Sequence, residues 1–275
     1  MNKRHSIIDF FKKKNEHVFT NTYYQHLKVN YDNFFEINNN NIDFGSPLLN
    51  QIQRVSLEIS NTCNFATCHK KCPASRVTIK KTLPTSIIKN VLTELSEINY
   101  SGVVAFHRYN EPLIDPRLFY LIELTQKLCP NSKILILTNG FYLTEQLALD
   151  IANLNIWVLA VSAYSKDEFK RLSSIDIKIP YIVFDSVLDD REDIYSKDPL
   201  DLKVACFAPL RDLTINVDGK VVLCCLDWLN KNDLGDCANA KLADIVNDQY
   251  FINIAKDLSN KMRCLDICRR CSMVR

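Results

Sequence analysis

Apolar and polar positions alternate over Val55-Ser56-Leu57-Glu58-Ile59, and that period of two predicts a strand. From there the chain repeats one order. A helical pattern covers 83–98, with Pro84 early and Thr85 as its cap; an apolar strand follows at 103–106. A helix then runs from about 116 to 128, with Pro116 in its first turn. Strand 134–137, helix 143–153, strand 157–161, a short helix over 166–172 and strand 181–184 complete the series. Strands alternating with helices predict a parallel sheet with crossover helices, either doubly wound or a barrel. In both, the working surface is the C-terminal edge of the strands. Four polar stretches fall at such edges: the cysteine-rich loop 60–73, Asn110-Glu111-Pro112, Thr138-Asn139-Gly140 and Ser162-Ala163-Tyr164. Their coincidence on one sheet edge points to one active site.

The pattern changes after Asp185. A charged stretch, 189–201, reads as a linker, and alternating runs at 213–217 and 220–223 flank Asp218-Gly219, a strong hairpin signal. The hairpin puts Cys206 before its first strand and Cys224 at the end of its second, and helical patterns follow at 241–247 and 250–258. Residues 1–50 are rich in Asn and Lys and read as an irregular lead-in, with a short amphipathic helix around 7–11. The division expected is a lead-in at 1–52, an α/β domain at 53–195 and a small domain of hairpin plus helices at 196–275.

Length and composition bound this picture. The 275 residues suffice for one large domain, or one with a small appendage, and 47% hydrophobic with 24% charged residues is ordinary for a soluble globular chain. A net charge of +2 provides no field for nucleic acid or an anionic membrane. No apolar run reaches membrane-spanning length, and the N-terminus is not a secretory signal, so a cytoplasmic protein is expected. The eleven cysteines change the picture more. In a reducing compartment disulfides explain them poorly, and metal or redox roles explain them better. They are also bunched, at 63–72, at Cys206 with Cys224 and Cys225, and at 264–271. Cys129 and Cys237 stand apart, and Cys129 closes a helix pattern, which suits a core position.

Cys63, Cys68 and Cys72 lie within ten residues on one loop. Three thiolates are one short of a closed four-ligand site, and an open position can hold a substrate or cofactor. Plainer readings stand beside this one. The C-x2-C of Cys268 and Cys271, with Cys264, fits a structural zinc, and His69 could complete the first cluster. A zinc-stabilised binding module is therefore the non-enzyme alternative. Glu111 before Pro112 also fits a helix-entry carboxylate, and Thr138-Asn139-Gly140 an ordinary turn. His107 and Arg108, at a strand end, either reach a substrate or are simply solvated.

A strand-end loop with three cysteines, then a strand ending in Asn-Glu-Pro, then Thr-Asn-Gly, resembles the radical S-adenosylmethionine (SAM) enzymes. The resemblance implies a partial (β/α)6 barrel whose Cys63, Cys68 and Cys72 bind a 4Fe-4S cluster that chelates SAM. It implies that Asn110, Glu111 and Pro112 lie against the SAM amino group, and that Thr138, Asn139 and Ser162 meet its ribose and carboxylate. The family spacing is C-x3-C-x2-C with an aromatic before the last cysteine. Here it is C-x4-C-x3-C with Lys71 in the aromatic's place, which leaves the packing of the adenine open.

The C-terminal segment is similar to the SPASM/twitch extension of one branch. Cys206, Cys224, Cys268 and Cys271 would bind one auxiliary 4Fe-4S cluster, with Cys264 as a rival for Cys268. Cys225 alternates to the opposite strand face from Cys224. Within the branch the likeness runs to 2-deoxy-scyllo-inosamine dehydrogenase-type enzymes. It implies a radical SAM oxidoreductase oxidising a small polar, sugar- or cyclitol-like substrate, with a reducing partner such as flavodoxin or ferredoxin. Epimerisation, dehydration or peptide modification are the alternatives within the class, and an inactive homologue with only the auxiliary cluster is a third reading. For epimerisation, Cys225 or Cys237 would be the hydrogen-atom donor. No residue is singled out as the catalytic base.

Overall fold

The structure is a computed structural model describing residues 42–177, 179–186, 196–201, 203–228 and 230–271, and the backbone of 17–18. The expected helix at 7–11, the Asn tract at 38–41 and much of the 189–201 linker lie outside the described residues.

Nine strands form one sheet: β1 (His17–Val18), β2 (Arg54–Leu57), β3 (Val103–Ala105), β4 (Lys133–Thr138), β5 (Val158–Ala163), β6 (Tyr181–Asp185), β7 (Asp212–Ile215), β8 (Lys220–Val222) and β9 (Asp233–Asp236). Their order is β1-β6-β5-β4-β3-β2-β7-β8-β9. The six from β6 to β7 are mutually parallel, the strand complement of the expected partial barrel. Crossovers are made by α1 (Thr85–Glu97), α2 (Leu118–Leu128), α3 (Glu145–Ala152) and α4 (Lys166–Ser173).

The helices form where the apolar positions recur at helical spacing. α1 buries Ile87, Ile88, Val91, Leu92 and Leu95 on one face. Pro84, not Thr85, takes its cap position, and Thr85 is its first helical residue. Thr144 caps α3 by accepting from Leu147 N–H, and Ser165 caps α4 by accepting from Glu168 N–H.

Alternation along the strands divides the interior. Val55, Leu57, Ile59, Val104, Phe106, Ile134 and Ile136 join the large cluster shared with the helices. The other parity, Val103, Ala105, Leu135, Val158, Ala160 and Ile182, forms a second, smaller cluster on the opposite face. On β2 and β7 that opposite face is polar: Ser56, Glu58, Asp212, Thr214 and Asn216 are all buried. There Arg54 pairs with Asp212, and Ser56 Oγ donates to Asp212 at 2.6 Å. This explains the polar alternation of 55–59, since a parallel strand covered on both faces by apolar layers would read as continuously hydrophobic.

The hairpin does not stand apart from the barrel. β7 pairs in parallel with β2, from Arg54↔Asp212 to Leu57↔Ile215, and covers an edge that would otherwise be unpaired. β8 and β9 then continue the sheet antiparallel. The turn is closed by Gly219 N–H to Asn216 O at 2.9 Å, with Gly219 at φ +84°, a left-handed conformation that glycine adopts without strain. α5 (Ala208–Arg211), α6 (Leu242–Asn247), α7 (Gln249–Ser259) and α8 (Asp266–Arg270) complete the chain. No helix among the described residues is long and apolar enough to cross a membrane.

Candidate active site

The parity that builds the smaller cluster carries on past the strand ends. Two residues beyond Ala105 comes His107; beyond Leu135 come Leu137 and Asn139; beyond Ala160 come Ser162 and Tyr164. All five line one pocket, with about 760 Å³ of empty space partly open to solvent. Cys63, Cys72, Asn110, Glu111 and Thr138 line it too. The four polar stretches therefore meet at one sheet edge. Pro112 is buried at the start of a short 3-10 turn and is not part of the wall, and Cys68 is exposed on the loop between the two pocket-facing cysteines.

The cysteine loop is held at its base and stretched in its middle. Leu83 N–H donates to Ile59 O at 2.9 Å, Ser60 bridges to Thr82, and Glu111 N–H donates to Thr62 O at 2.9 Å. Each long gap is taken up by turns. Ala66 N–H reaches Cys63 O and Cys68 N–H reaches Phe65 O in the first. In the second, Cys72 N–H reaches His69 O, with Lys71 at φ +56°. That left-handed residue takes up the extra length and leaves Lys71 exposed. The aromatic wall comes from elsewhere: Tyr164 stands 5.6 Å from Phe65 and edge-on to the buried His69 at 4.7 Å, and all three line the pocket. Phe65 was legible only as an aromatic in an unexpected gap.

Glu111 holds the strand ends together. Its carboxylate accepts from Thr138 Oγ1, from Asn139 N–H at 2.8 Å and from Leu113 N–H at 3.0 Å. It is thus both the entry carboxylate of the Pro112–Ile114 turn and a pocket wall. Burial raises its pKa, with the three hydrogen bonds opposing. Asn139 Nδ2 donates to Asn64 Oδ1 at 2.8 Å and lies 3.9 Å from Cys63 Sγ, joining the second loop to the first. Burial, aided by the charges of Glu111 and Cys72, pushes the Cys63 thiol up to about 11.

Glu58, which the sequence did not single out, lines neither cavity but supports the pocket residue Arg108. It is buried, pairs with Arg108 at 3.3 Å, and accepts from Val217 N–H at 3.1 Å. Burial raises its pKa against the pull of the Arg108 charge. Arg108 also donates to Asp227 O at 2.8 Å, and Tyr109 Oη donates to Cys225 O. Arg108 and Tyr109 both line the pocket, so it is hydrogen-bonded directly to the turn after β8 that carries Cys224.

Cys206, Cys224, Cys268 and Cys271 line a second cavity of about 380 Å³, walled by apolar groups such as Pro209, Leu223 and Leu258. Burial, then the neighbouring Cys206, Cys264 and Cys271, push the Cys268 thiol up to about 12. Thiols crowded in so apolar a place ionise only against compensating positive charge, which bound iron supplies. The donor set thus fits a cluster. Among the described residues no three of His, Cys, Asp and Glu are placed to hold a single metal ion. The four thiols instead line one cavity.

Cys264 is not in the wall. β8 ends at Val222, so Cys224 and Cys225 follow the strand and are not alternating positions within it, yet only Cys224 faces the cavity. Cys237 is buried and lines neither cavity, so it is not placed against a substrate in the first; burial, then the charges of Glu94 and Asp236, push its thiol up to about 12. Cys129 is a core residue whose Sγ donates to Leu92 O at 3.1 Å.

Residues 206–272 match the SPASM family, described as an iron-sulfur cluster-binding domain. Over 233 residues the chain is 28% identical to the S-adenosyl-L-methionine-dependent 2-deoxy-scyllo-inosamine dehydrogenase of Niallia circulans, covering 80% of this chain and 92% of that protein. The crystal structure of BtrN in complex with AdoMet and 2-DOIA superposes with a TM-score of 0.67 at 25% identity, covering 80% of this chain and 92% of that one. Native anSMEcpe with bound AdoMet and a peptide shares the fold at a TM-score of 0.51 and 14% identity, covering 80% and 88%.

Proposed function

We propose that this chain, placed by sequence and fold among the radical SAM enzymes of the SPASM/twitch branch, oxidises a secondary alcohol of a small, polar, cyclitol- or sugar-like substrate. The observation that carries the reading is that Arg108 and Tyr109 of the first cysteine-lined cavity hydrogen-bond to Asp227 O and Cys225 O, in the turn whose Cys224 and Leu226 line the second. The polar wall of His107, Arg108, Tyr109 and Asn110 suits a substrate bearing hydroxyl or amino groups. The similarity to a dehydrogenase acting on 2-deoxy-scyllo-inosamine favours the same substrate class.

In this reading Cys63, Cys68 and Cys72 hold the first 4Fe-4S cluster, with Cys68 brought inward from its exposed position. Glu111, Thr138, Asn139 and Ser162 shape the seat for SAM. With SAM bound, that cluster supplies the 5'-deoxyadenosyl radical that takes a hydrogen atom from the carbinol carbon. Alcohol oxidation then requires one proton and one further electron to leave. Cys206, Cys224, Cys268 and Cys271 close the shell of an auxiliary cluster suited to electron transfer. The first cluster's reductant is an acidic one-electron carrier such as flavodoxin or ferredoxin. Its approach is favoured by the excess of basic over acidic residues around the cysteine loop, where residues 59–93 contain no Asp or Glu.

The test is anaerobic reconstitution, iron counting, and turnover with aminocyclitols deuterated at the carbinol carbon. The reading expects about eight irons per chain, as two four-iron clusters, and deuterium in the released 5'-deoxyadenosine together with a ketone product. About four irons without SAM cleavage under strong reduction would sink it in favour of the inactive homologue. Epimerisation retains one supporting observation, the half-buried Cys225 whose carbonyl binds the pocket residue Tyr109. Solvent deuterium at the substrate carbon, lost in C225A, would identify that outcome.

A further inference from the structure

The cavity ringed by Cys206, Cys224, Cys268 and Cys271 has one charged side chain among its described lining residues, Arg263. Its Nε and Nη2 are buried and find no hydrogen-bond partner among the described residues. Buried guanidinium donors without acceptors are costly, so this arrangement calls for an acceptor the polypeptide does not provide. The backbone holds the residue in place: Lys261, at φ +68°, turns the chain after α7, and Arg269 Nε donates to Arg263 O at 3.1 Å.

We propose that Arg263 donates hydrogen bonds to the auxiliary cluster and raises its reduction potential. The inference rests on the reading that these four cysteines hold an iron–sulfur cluster. Reduction adds negative charge to a centre already surrounded by four thiolates. A cation and its N–H donors stabilise the reduced state more than the oxidised one, and the apolar walls strengthen the effect. Arginine suits the task better than lysine, because its rigid fork presents several donors and keeps its charge when buried. A raised potential makes the cluster a better acceptor for an electron from an oxidised substrate.

The experiment is an EPR-monitored redox titration of the reconstituted holoenzyme, comparing wild type, R263Q and R263K. R263Q at full iron content should show a tenfold smaller reduced-to-oxidised ratio at a fixed potential, a fall of about 59 mV for a one-electron couple. R263K should fall between, and the SAM-binding cluster should keep its midpoint in both. An unchanged auxiliary midpoint in R263Q overturns the role of Arg263 and leaves the two-cluster reading intact. Loss of the auxiliary irons in both variants also overturns it, making Arg263 an assembly residue. A wild type with only about four irons, undiminished in C268A, refutes the four-cysteine reading itself and the proposal with it.

Discussion

Glu111→Gln tests the strand-end architecture most directly, because the partners of the carboxylate can be accounted for one by one. Glu111 is 2% exposed and accepts from three donors: Thr138 Oγ1, Leu113 N–H and Asn139 N–H. Glutamine keeps the shape but exchanges one acceptor oxygen for an N–H2 group. The Thr138 hydroxyl can rotate to accept from that group, whereas a backbone N–H cannot. One buried amide, at Leu113 or Asn139, is left without a partner whichever way the side chain is turned. A buried unsatisfied donor costs about 1–3 kcal/mol. At about 2–4 °C per kcal/mol for a domain of this size, the metal-free protein should melt roughly 2–12 °C lower. The same distortion reaches Asn139 and, through it, Asn64 and Cys63, so SAM binding to the reconstituted enzyme should weaken about tenfold, the equivalent of 1.4 kcal/mol. Differential scanning calorimetry reads the first effect and anaerobic titration calorimetry the second. A variant that melts and binds SAM like the wild type would refute the account of Glu111 as the tie between β3 and β4. A normal melting temperature with weakened SAM binding would instead confine its role to the ligand.

Further outcomes follow from the same geometry. Cys268→Ala should remove about four irons and Cys264→Ala none, since only Cys268 faces the second cavity; equal losses would mean that the ligand assignment is wrong. Asp212→Asn removes a carboxylate whose pKa is held down to about 2, burial pushing it up but the charge and hydrogen bonds of Arg54 and the Ser56 hydroxyl prevailing. A depressed carboxylate stabilises the fold above its ordinary value of 3.8, and that contribution is lost as pH falls toward 2. In urea unfolding of the metal-free chain the wild type should exceed D212N by about 2 kcal/mol at pH 7, and by about half of that at pH 3. A gap that does not shrink with acid would rule out the ion pair as its source. Gly219→Ala should lower the melting temperature without changing the iron content, because φ is +84° and a Cβ would meet Ile87 Cδ1 at 2.9 Å.

The sequence by itself determined the order of elements and the chemistry. Period-two alternation, helical spacing and the cap signals are local properties, so strands β2 to β6 and helices α1 to α4 were legible within a few residues. The cysteines were legible as clusters because their bunching is a property of the chain order itself. β9 escaped notice because Asp-Leu-Gly-Asp has little strand propensity and pairs only because β8 is beside it.

Only the tertiary structure decided how these parts meet. It set β7 against β2, so that the hairpin extends the barrel's sheet, a long-range pairing with no local signal. It brought Glu58 beside Arg108, 50 residues away in sequence, so that a buried strand-face carboxylate holds the arginine that reaches the turn after β8. It put Cys268, and not Cys264, in the wall of the second cavity, although the two share a short segment. It also placed Lys71 in a left-handed turn, so that the stretched spacing, puzzling as a pattern, is taken up by the backbone of the loop.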